Sequence, residues 1–138
     1  MLYVGIDPSF SRTGVCYLDT DLKEIKFVAI CPEGKNLDYK QTLDRSAFIA
    51  VNVIRHLNLE KDSTIIIEEP LMSSMKASSL GPLSGVVVWS LAFMPSIKAL
   101  CSINPHYVNG LNRPIMKALD INKKAASQYV ASKILEYL

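Results

Sequence analysis

Two stretches, Leu2-Tyr3-Val4-Gly5-Ile6-Asp7 and Ser63-Thr64-Ile65-Ile66-Ile67-Glu68, decide the fold of this chain. Each is a short run rich in apolar and β-branched residues that ends in an acid, which is typical of a strand leading to a polar edge. The continuous run from Ile65 to Ile67 indicates a central strand that is covered on both faces. We expect the two stretches to be adjacent parallel strands of one sheet.

Two further β-rich runs separate these stretches. The first, Thr13 to Leu18, follows a tight turn that contains Pro8, Ser9 and Ser11. The second, Ile25 to Cys31, stops at a Pro-Glu-Gly sequence, where proline cannot continue a ladder. Because consecutive strands joined by short turns usually pair, the chain is predicted to open with a three-strand antiparallel meander.

Beyond Asp38 the apolar period lengthens to three or four residues, which predicts a helix. One face of this helix would carry Leu43, Ala47, Ala50, Ile54 and Leu57. A second helix follows the central strand, but glycines and Pro82 are expected to delay its start to near Leu83 or Ser84, and it should end by Pro95.

The last third of the chain adds a strand and helices. Ile97 to Ile103 is predicted to be a strand that ends before Asn104-Pro105, and Lys123 to Tyr137 a helix capped by Asp120 or Asn122. One stripe of that helix would carry Ala126, Val130, Ile134 and Tyr137. The predicted order is therefore β β β α β α β α α, an α/β fold with one mixed sheet flanked by helices.

Composition limits the class of protein. The chain has 138 residues, a net charge of +2 and 49% hydrophobic residues, which suits one globular domain with a packed core. The longest apolar run, Val86 to Met94, is about half of the ~20 residues that span a bilayer, and the charge order at the start does not fit a secretory signal. Three scattered cysteines suggest neither a disulfide framework nor a zinc site. We therefore expect an intracellular protein without a membrane span.

The acids at the two strand ends are the candidate chemistry. Asp7 and Glu68 would converge if their strands are parallel neighbours, because ligand crevices lie beyond the carboxyl ends of such strands. Carboxylates without nearby His or Cys favour Mg²⁺ or Mn²⁺, as in phosphoryl-transfer sites. Glu69 should point to the opposite face and ranks second. The alternative interpretation is that all three are solvated strand-end residues.

Several motifs in this order resemble the RuvC-like Holliday-junction resolvases, which have the RNase H-like fold. They are Tyr3-Val4-Gly5-Ile6-Asp7-Pro8 with Thr13-Gly14-Val15, the acidic motif Ile66-Ile67-Glu68-Glu69-Pro70-Leu71-Met72, and the helix start Ser84-Gly85-Val86-Val87-Val88. Lys117 and Lys124 fall where the family has two basic residues near its active site. The resemblance covers nearly the whole chain.

The resemblance implies a set of site residues. Asp7 and Glu68 would be catalytic carboxylates that hold Mg²⁺, or Mn²⁺ as a substitute, with Glu69 as a further metal ligand. Lys124 would act at the scissile phosphate and, with Lys117, contact DNA. The polar loop around Lys76 and the basic region that begins at Arg113 would border the site and bind DNA.

Two features depart from the family pattern. The family completes its site with two acids on a later helix, whereas the only acid after Lys124 here is Glu136, which does not match that pattern. We expect a single domain over residues 1–138 that lacks this acidic helix, is folded, and is catalytically poor. Leu71 stands where bacterial relatives carry an aromatic residue, and leucine can wedge between bases but cannot stack on them.

The family also implies partners. Its members act as dimers on twofold DNA junctions in recombination and repair. The run from Val86 to Met94 is apolar on all sides, more than one buried stripe requires. It could pack in the core of one chain, but with the resemblance we expect this helix to join two copies.

Three functions compete at this point. The leading hypothesis is a Mg²⁺-dependent endodeoxyribonuclease that resolves four-way DNA junctions. The second is a catalytically incomplete module of the same fold that binds branched DNA without cutting it. The third is an actin-like ATP-binding domain, which Gly5-Ile6-Asp7 also resembles, but those proteins are far longer and need a second phosphate loop that is absent here.

Overall fold

The computed structural model describes residues 1–34, 39–57, 60–69 and 77–137. Its strands are β1 (Leu2–Asp7), β2 (Thr13–Asp19), β3 (Glu24–Ile30), β4 (Ser63–Glu68) and β5 (Ile97–Ile103). Its helices are α1 (Tyr39–Arg55), α2 (Ala77–Ala92), α3 (Pro105–Leu119) and α4 (Lys123–Tyr137). The predicted order of elements is confirmed.

The five strands form one sheet in the order β3-β2-β1-β4-β5. β1, β2 and β3 pair antiparallel, whereas β4 runs parallel to both β1 and β5. The register places Gly5 between Cys16 on one side and Ile66 on the other. This arrangement confirms the predicted meander with two parallel strands, and it confirms that the strands ending in Asp7 and Glu68 are neighbours.

The core lies on one face of this sheet. Strand residues of alternating position turn to that face and are buried, among them Val4, Val15 and Ile65. Helices α1 and α2 cover them with a second set of buried side chains: Ile49, Val53, Leu83, Val87 and Leu91. Burying these side chains removes their apolar surface from water, which is the main driving force for the fold.

The predicted face of α1 is confirmed in its second half, where Ala50 and Leu57 are buried and Ile54 is half-buried, and wrong in its first half. Leu43 and Ala47 are exposed, while Ser46, Ile49 and Val53 are fully buried. The hydroxyl of Ser46 donates to the carbonyl of Thr42 (2.8 Å), so a polar residue sits in the buried stripe without an unsatisfied donor. The pattern of apolar residues could not reveal this, because it assigns serine to the solvent-exposed side of the helix.

The predicted late start of α2 is also wrong, since the helix begins at Ala77 and passes through Pro82. A proline there removes one backbone hydrogen bond near the start of the helix. The later residues Leu83, Val87 and Leu91 are anchored in the core, and this packing outweighs the local loss. The helix ends before Pro95, as expected.

Two polar residues define the boundary between α3 and α4. Asp120 ends α3 in a left-handed conformation (φ 51°), and the side chain of Asn122 accepts a hydrogen bond from the backbone N–H of Ala125 (3.0 Å). Of the two predicted caps, Asn122 is therefore the one that caps α4. The side chain of Asn112 donates to the hydroxyl of Ser127 (2.9 Å) and joins the two helices.

None of the helices in the described part of the chain has the length and apolarity that crossing a membrane would require.

Candidate active site

The site begins with the pairing of β1 and β4. Ile6 and Ile67 are partners in this parallel ladder, so the residues that follow them, Asp7 and Glu68, emerge next to each other at the carboxyl edge of the sheet. Both acids fall on the face opposite the buried core, because side chains alternate along a strand. They line one cleft of about 600 Å³.

Two glycines leave the bottom of this cleft free of side chains. Gly14 is the β2 partner of Asp7, and a Cβ atom there would lie 3.9 Å from the Asp7 Cβ. A Cβ atom on Gly5 would lie 4.0 Å from the Cys16 Cβ. These are ordinary contact distances, so the glycines do not relieve a clash. Their effect is to leave room for a ligand above the sheet.

Burial acts on both carboxyl groups, and the charge of Asp7 also acts on Glu68. Partial burial raises the pKa of Asp7, and the charge of Lys123 opposes that rise. Burial is also the main cause that raises the pKa of Glu68, the charge of Asp7 adds to it, and Lys123 again opposes it. Asp7 and Glu68 are therefore close enough to repel each other when both are ionised. A divalent cation bound between them would relieve this repulsion.

The lysine that acts on both acids is Lys123, whereas sequence reasoning selected Lys124. Both residues lie in the first turn of α4, and both are exposed. Successive residues on a helix point about 100° apart, so only one of two adjacent lysines can face the acids. Spacing in the sequence cannot tell which one, because that depends on how α4 is rotated against the sheet.

Glu69 stands apart from the pair. Its carboxylate accepts a hydrogen bond from the hydroxyl of Ser102 on β5, and its backbone N–H donates to the carbonyl of Ile103 (3.0 Å). Among the described residues, no group of three or more His, Cys, Asp or Glu side chains is placed to hold a metal ion. The expected three-carboxylate set of Asp7, Glu68 and Glu69 is therefore not assembled, because strand alternation separates Glu69 from the other two.

Three of the remaining predicted DNA contacts belong to the described residues, and they lie outside the cleft lining. Arg113 and Lys117 are exposed and four residues apart on α3, so they share one side of that helix. Lys124 is exposed nearby in sequence, at the start of α4. Lys76 falls outside the described residues. Whether these side chains contact DNA stays a prediction.

The donor set suits magnesium. Mg²⁺ in proteins is often held by one or two carboxylates, with water and substrate phosphate filling the other positions. Asp7 and Glu68 supply two such carboxylates at the rim of an open cleft. They fit a single hard cation of this kind, while the nearby positive charge of Lys123 opposes a second cation.

A mixed five-strand sheet with acids at the carboxyl ends of two adjacent parallel strands defines the class of this structure, which is a RuvC-like, RNase H-like fold. The solved structure of Thermus thermophilus RuvC in complex with Holliday junction substrate matches with a TM-score of 0.58 and 16% sequence identity, over 81% of this chain and 69% of that one. A second Thermus thermophilus RuvC structure matches with a TM-score of 0.56 and 17% identity, over 78% of this chain and 66% of the other.

Comparisons of sequence gave nothing further. The sequence matches no protein-family model and no curated protein. At this low identity, the structural likeness establishes the fold alone.

Proposed function

We propose that this protein is a metal-dependent, structure-selective endonuclease that cuts phosphodiesters at four-way DNA junctions. The observation that carries the proposal is the pair Asp7 and Glu68, side by side on β1 and β4 in one open cleft. The likeness to a RuvC fold that was solved with a Holliday junction supports the choice of DNA substrate.

The chain's own residues would divide the work. Asp7 and Glu68 would hold Mg²⁺, which when bound supplies a Lewis acid for the phosphate and lowers the pKa of water. Lys123 would keep both carboxylates ionised, since its charge opposes the rise in their pKa. Gly5 and Gly14 would let the DNA backbone approach the floor of the cleft.

The direct test is cleavage of a synthetic four-way junction in Mg²⁺ or Mn²⁺. The wild-type chain should nick the junction, and Asp7→Asn and Glu68→Gln should each lower the rate by two orders of magnitude or more, because a lost ligand removes several kcal/mol of charge stabilisation. Asp62→Asn is the matched control, since this exposed acid precedes β4 at the other end of the sheet. Equal loss in the control, or no cutting of any branched DNA, would refute the proposal.

Metal binding can be measured without DNA. A ligand present at ten times its dissociation constant stabilises a fold by about 1.4 kcal/mol. Mg²⁺ should therefore raise the melting temperature of the wild-type chain but not that of Asp7→Asn. A cation effect of equal size in both chains would place the metal elsewhere.

A second function, binding of branched DNA without cleavage, is favoured by one observation. The described residues contribute two carboxylates to the cleft and no group of three, and a two-metal reaction needs more anionic ligands than that. Tight junction binding that is unchanged in Asp7→Asn, together with no nicking in either chain, would select this function.

We further propose that the chain is a homodimer joined through α2. Trp89 of α2 is 70% exposed and Phe93, in the turn directly after the helix, is 73% exposed; their rings meet edge to face with centroids 5.2 Å apart. Two large, exposed aromatic rings in contact form the kind of patch that a partner surface covers.

A further inference from the structure

The cleft contains a cation that sequence reasoning did not select. Arg12 lies in the turn between β1 and β2 and lines the same cleft as Asp7 and Glu68. Its side chain is exposed, so a ligand that enters the cleft can reach it. We propose that Arg12 binds a backbone phosphate of the nucleic-acid strand that runs through the cleft, an inference that rests on the proposed DNA-cutting function.

The first support is the rigidity of the turn that carries Arg12. The backbone N–H of Ser9 donates to Thr13 Oγ1 (3.1 Å), and that hydroxyl donates in turn to the carbonyl of Ser9 (2.8 Å). Thr13 is completely buried. The guanidinium of Arg45 adds a bond to the carbonyl of Phe10 (3.4 Å). A side chain that projects from a fixed turn loses less entropy on binding than one from a loose loop.

The second support is that the side chain of Arg12 has no partner among the described residues. Within the described ranges it takes part in no ion pair and no hydrogen bond, and neither Asp7 nor Glu68 neutralises it. Arg45 shows the contrast, because its guanidinium donates to the carbonyls of Phe10, Glu33 and Gly34. The guanidinium of Arg12 keeps all its donors for a ligand.

The third support is the charge balance of the cleft. Asp7 and Glu68 repel a polyanion, and the charge of Lys123, at the start of α4, offsets part of their charge. Arg12 is a second cation at the edge of the cleft, on the side formed by β1, β2 and β3. Its charge offsets the repulsion between the two acids and the DNA. The planar fork of arginine matches the geometry of a phosphate, with two parallel N–H donors on two oxygens.

The experiment measures the affinity for a four-way junction of the wild-type chain, of Arg12→Gln, of Arg12→Lys and of the control Arg55→Gln. It is done in Ca²⁺, a cation chosen to leave the DNA uncut. Arg55 is an exposed arginine at the end of α1, away from the cleft. Arg12→Gln should weaken binding about tenfold, as loss of one charge-assisted contact does. Its plot of log affinity against log salt should be shallower by about 0.9, the value for one lost phosphate contact. Arg12→Lys should keep the salt slope and lose part of the affinity, and Arg55→Gln should change neither.

A second measurement identifies the phosphate by removing its charge from the DNA. Junctions with one neutral methylphosphonate at successive backbone positions are bound by the wild-type chain and by Arg12→Gln. At one position near the cut, the wild-type chain should lose about tenfold in affinity while Arg12→Gln loses nothing more. Equal losses in both chains at every position, or equal salt slopes for Arg12→Gln and Arg55→Gln, would overturn the inference and leave the proposed function standing. A wild-type chain that neither binds nor cuts junctions would overturn both.

Discussion

Asp7 and Glu68 are held in a state that costs stability when no cation is bound. Both carboxyl groups are partly buried, and each carries a pKa raised mainly by that burial. A fold gains nothing from placing two like charges side by side. Such an arrangement is typical of functional sites, where stability is sacrificed for binding.

This cost has a pH dependence whose sign follows from the raised pKa values. The folded chain binds these protons more tightly than the unfolded chain, so the free energy of unfolding falls as pH rises from the ordinary carboxyl range through the raised pKa values. Asp7→Asn and Glu68→Gln should therefore be more stable than the wild-type chain at pH 7 without metal. This difference in the free energy of unfolding between variant and wild-type chain should shrink as pH falls through the raised pKa values and below the ordinary carboxyl range, because the wild-type acids are then neutral too.

Urea unfolding at several pH values measures this effect, with Asp62→Asn as the control. The Asp62 carboxylate is exposed and pairs with Lys98 (3.3 Å), so its replacement should change stability little or lower it slightly. Destabilisation of both Asp7→Asn and Glu68→Gln at pH 7 would contradict the electrostatic account.

Lys123 and Lys124 provide a matched pair of variants. Because the charge of Lys123 opposes the pKa rise of both acids, Lys123→Met should raise the pKa of Asp7 and of Glu68 further. Lys124→Met should leave both where they are. NMR titration of the side-chain carboxyl groups reads the two values separately. A larger response to Lys124→Met would mean that α4 is rotated the other way.

Among the secondary elements, the β1–β2 turn depends on a single hydroxyl. Thr13 both accepts from the N–H of Ser9 and donates to its carbonyl. Thr13→Val keeps the shape but leaves these buried backbone groups unpaired, which should cost about 1–3 kcal/mol of unfolding free energy. Thr13→Ser keeps the hydroxyl and should cost less. Urea unfolding of both variants checks this, and equal losses would show that packing of the threonine methyl group dominates.

The elements differ in how far the sequence predicted them. Strands β1 to β5 were predicted correctly, because each is a short apolar run closed by a turn former. The first half of the buried stripe of α1 was misplaced because Ser46 lies in it, with its hydroxyl bonded to the carbonyl of Thr42. The start of α2 was misplaced because local rules for Gly81 and Pro82 ignore the packing further along the helix.

The candidate site was predictable where it depends on strands and unpredictable where it depends on helices and loops. Strand alternation and parallel pairing bring Asp7 beside Glu68 and send Glu69 elsewhere, and both consequences follow from a period of two. The roles of Lys123 and Arg12 depend on a helix rotation and on a turn conformation. Neither leaves a repeating signal in the sequence, so both residues emerge only from the folded structure.

The whole molecule buries one face of its sheet under α1 and α2 and leaves apolar residues exposed on the other. Phe27 is 61% exposed and Ile66 38% exposed, on the face that also carries Asp7 and Glu68. The outer side of α2 carries Trp89, and Phe93 is exposed in the turn that follows the helix. These two exposed apolar areas lie on different sides of the molecule, which separates ligand binding from the proposed dimer contact.

That separation leads to a prediction about assembly. If α2 joins two copies, Trp89→Gln should weaken dimerisation by at least about 30-fold, because truncating a central interface aromatic costs 2 kcal/mol or more. It should change the stability of the monomer little, since the ring is mostly exposed. The matched control is Tyr107→Gln, which removes an aromatic residue that is 73% exposed on α3. Sedimentation equilibrium over a range of concentrations measures all three chains. A wild-type chain that stays monomeric throughout, or equal dissociation by Tyr107→Gln, would contradict a dimer through α2.

Because the cleft lies on another face, Trp89→Gln should leave the affinity of one subunit for a single DNA arm unchanged while binding to the four-way junction weakens.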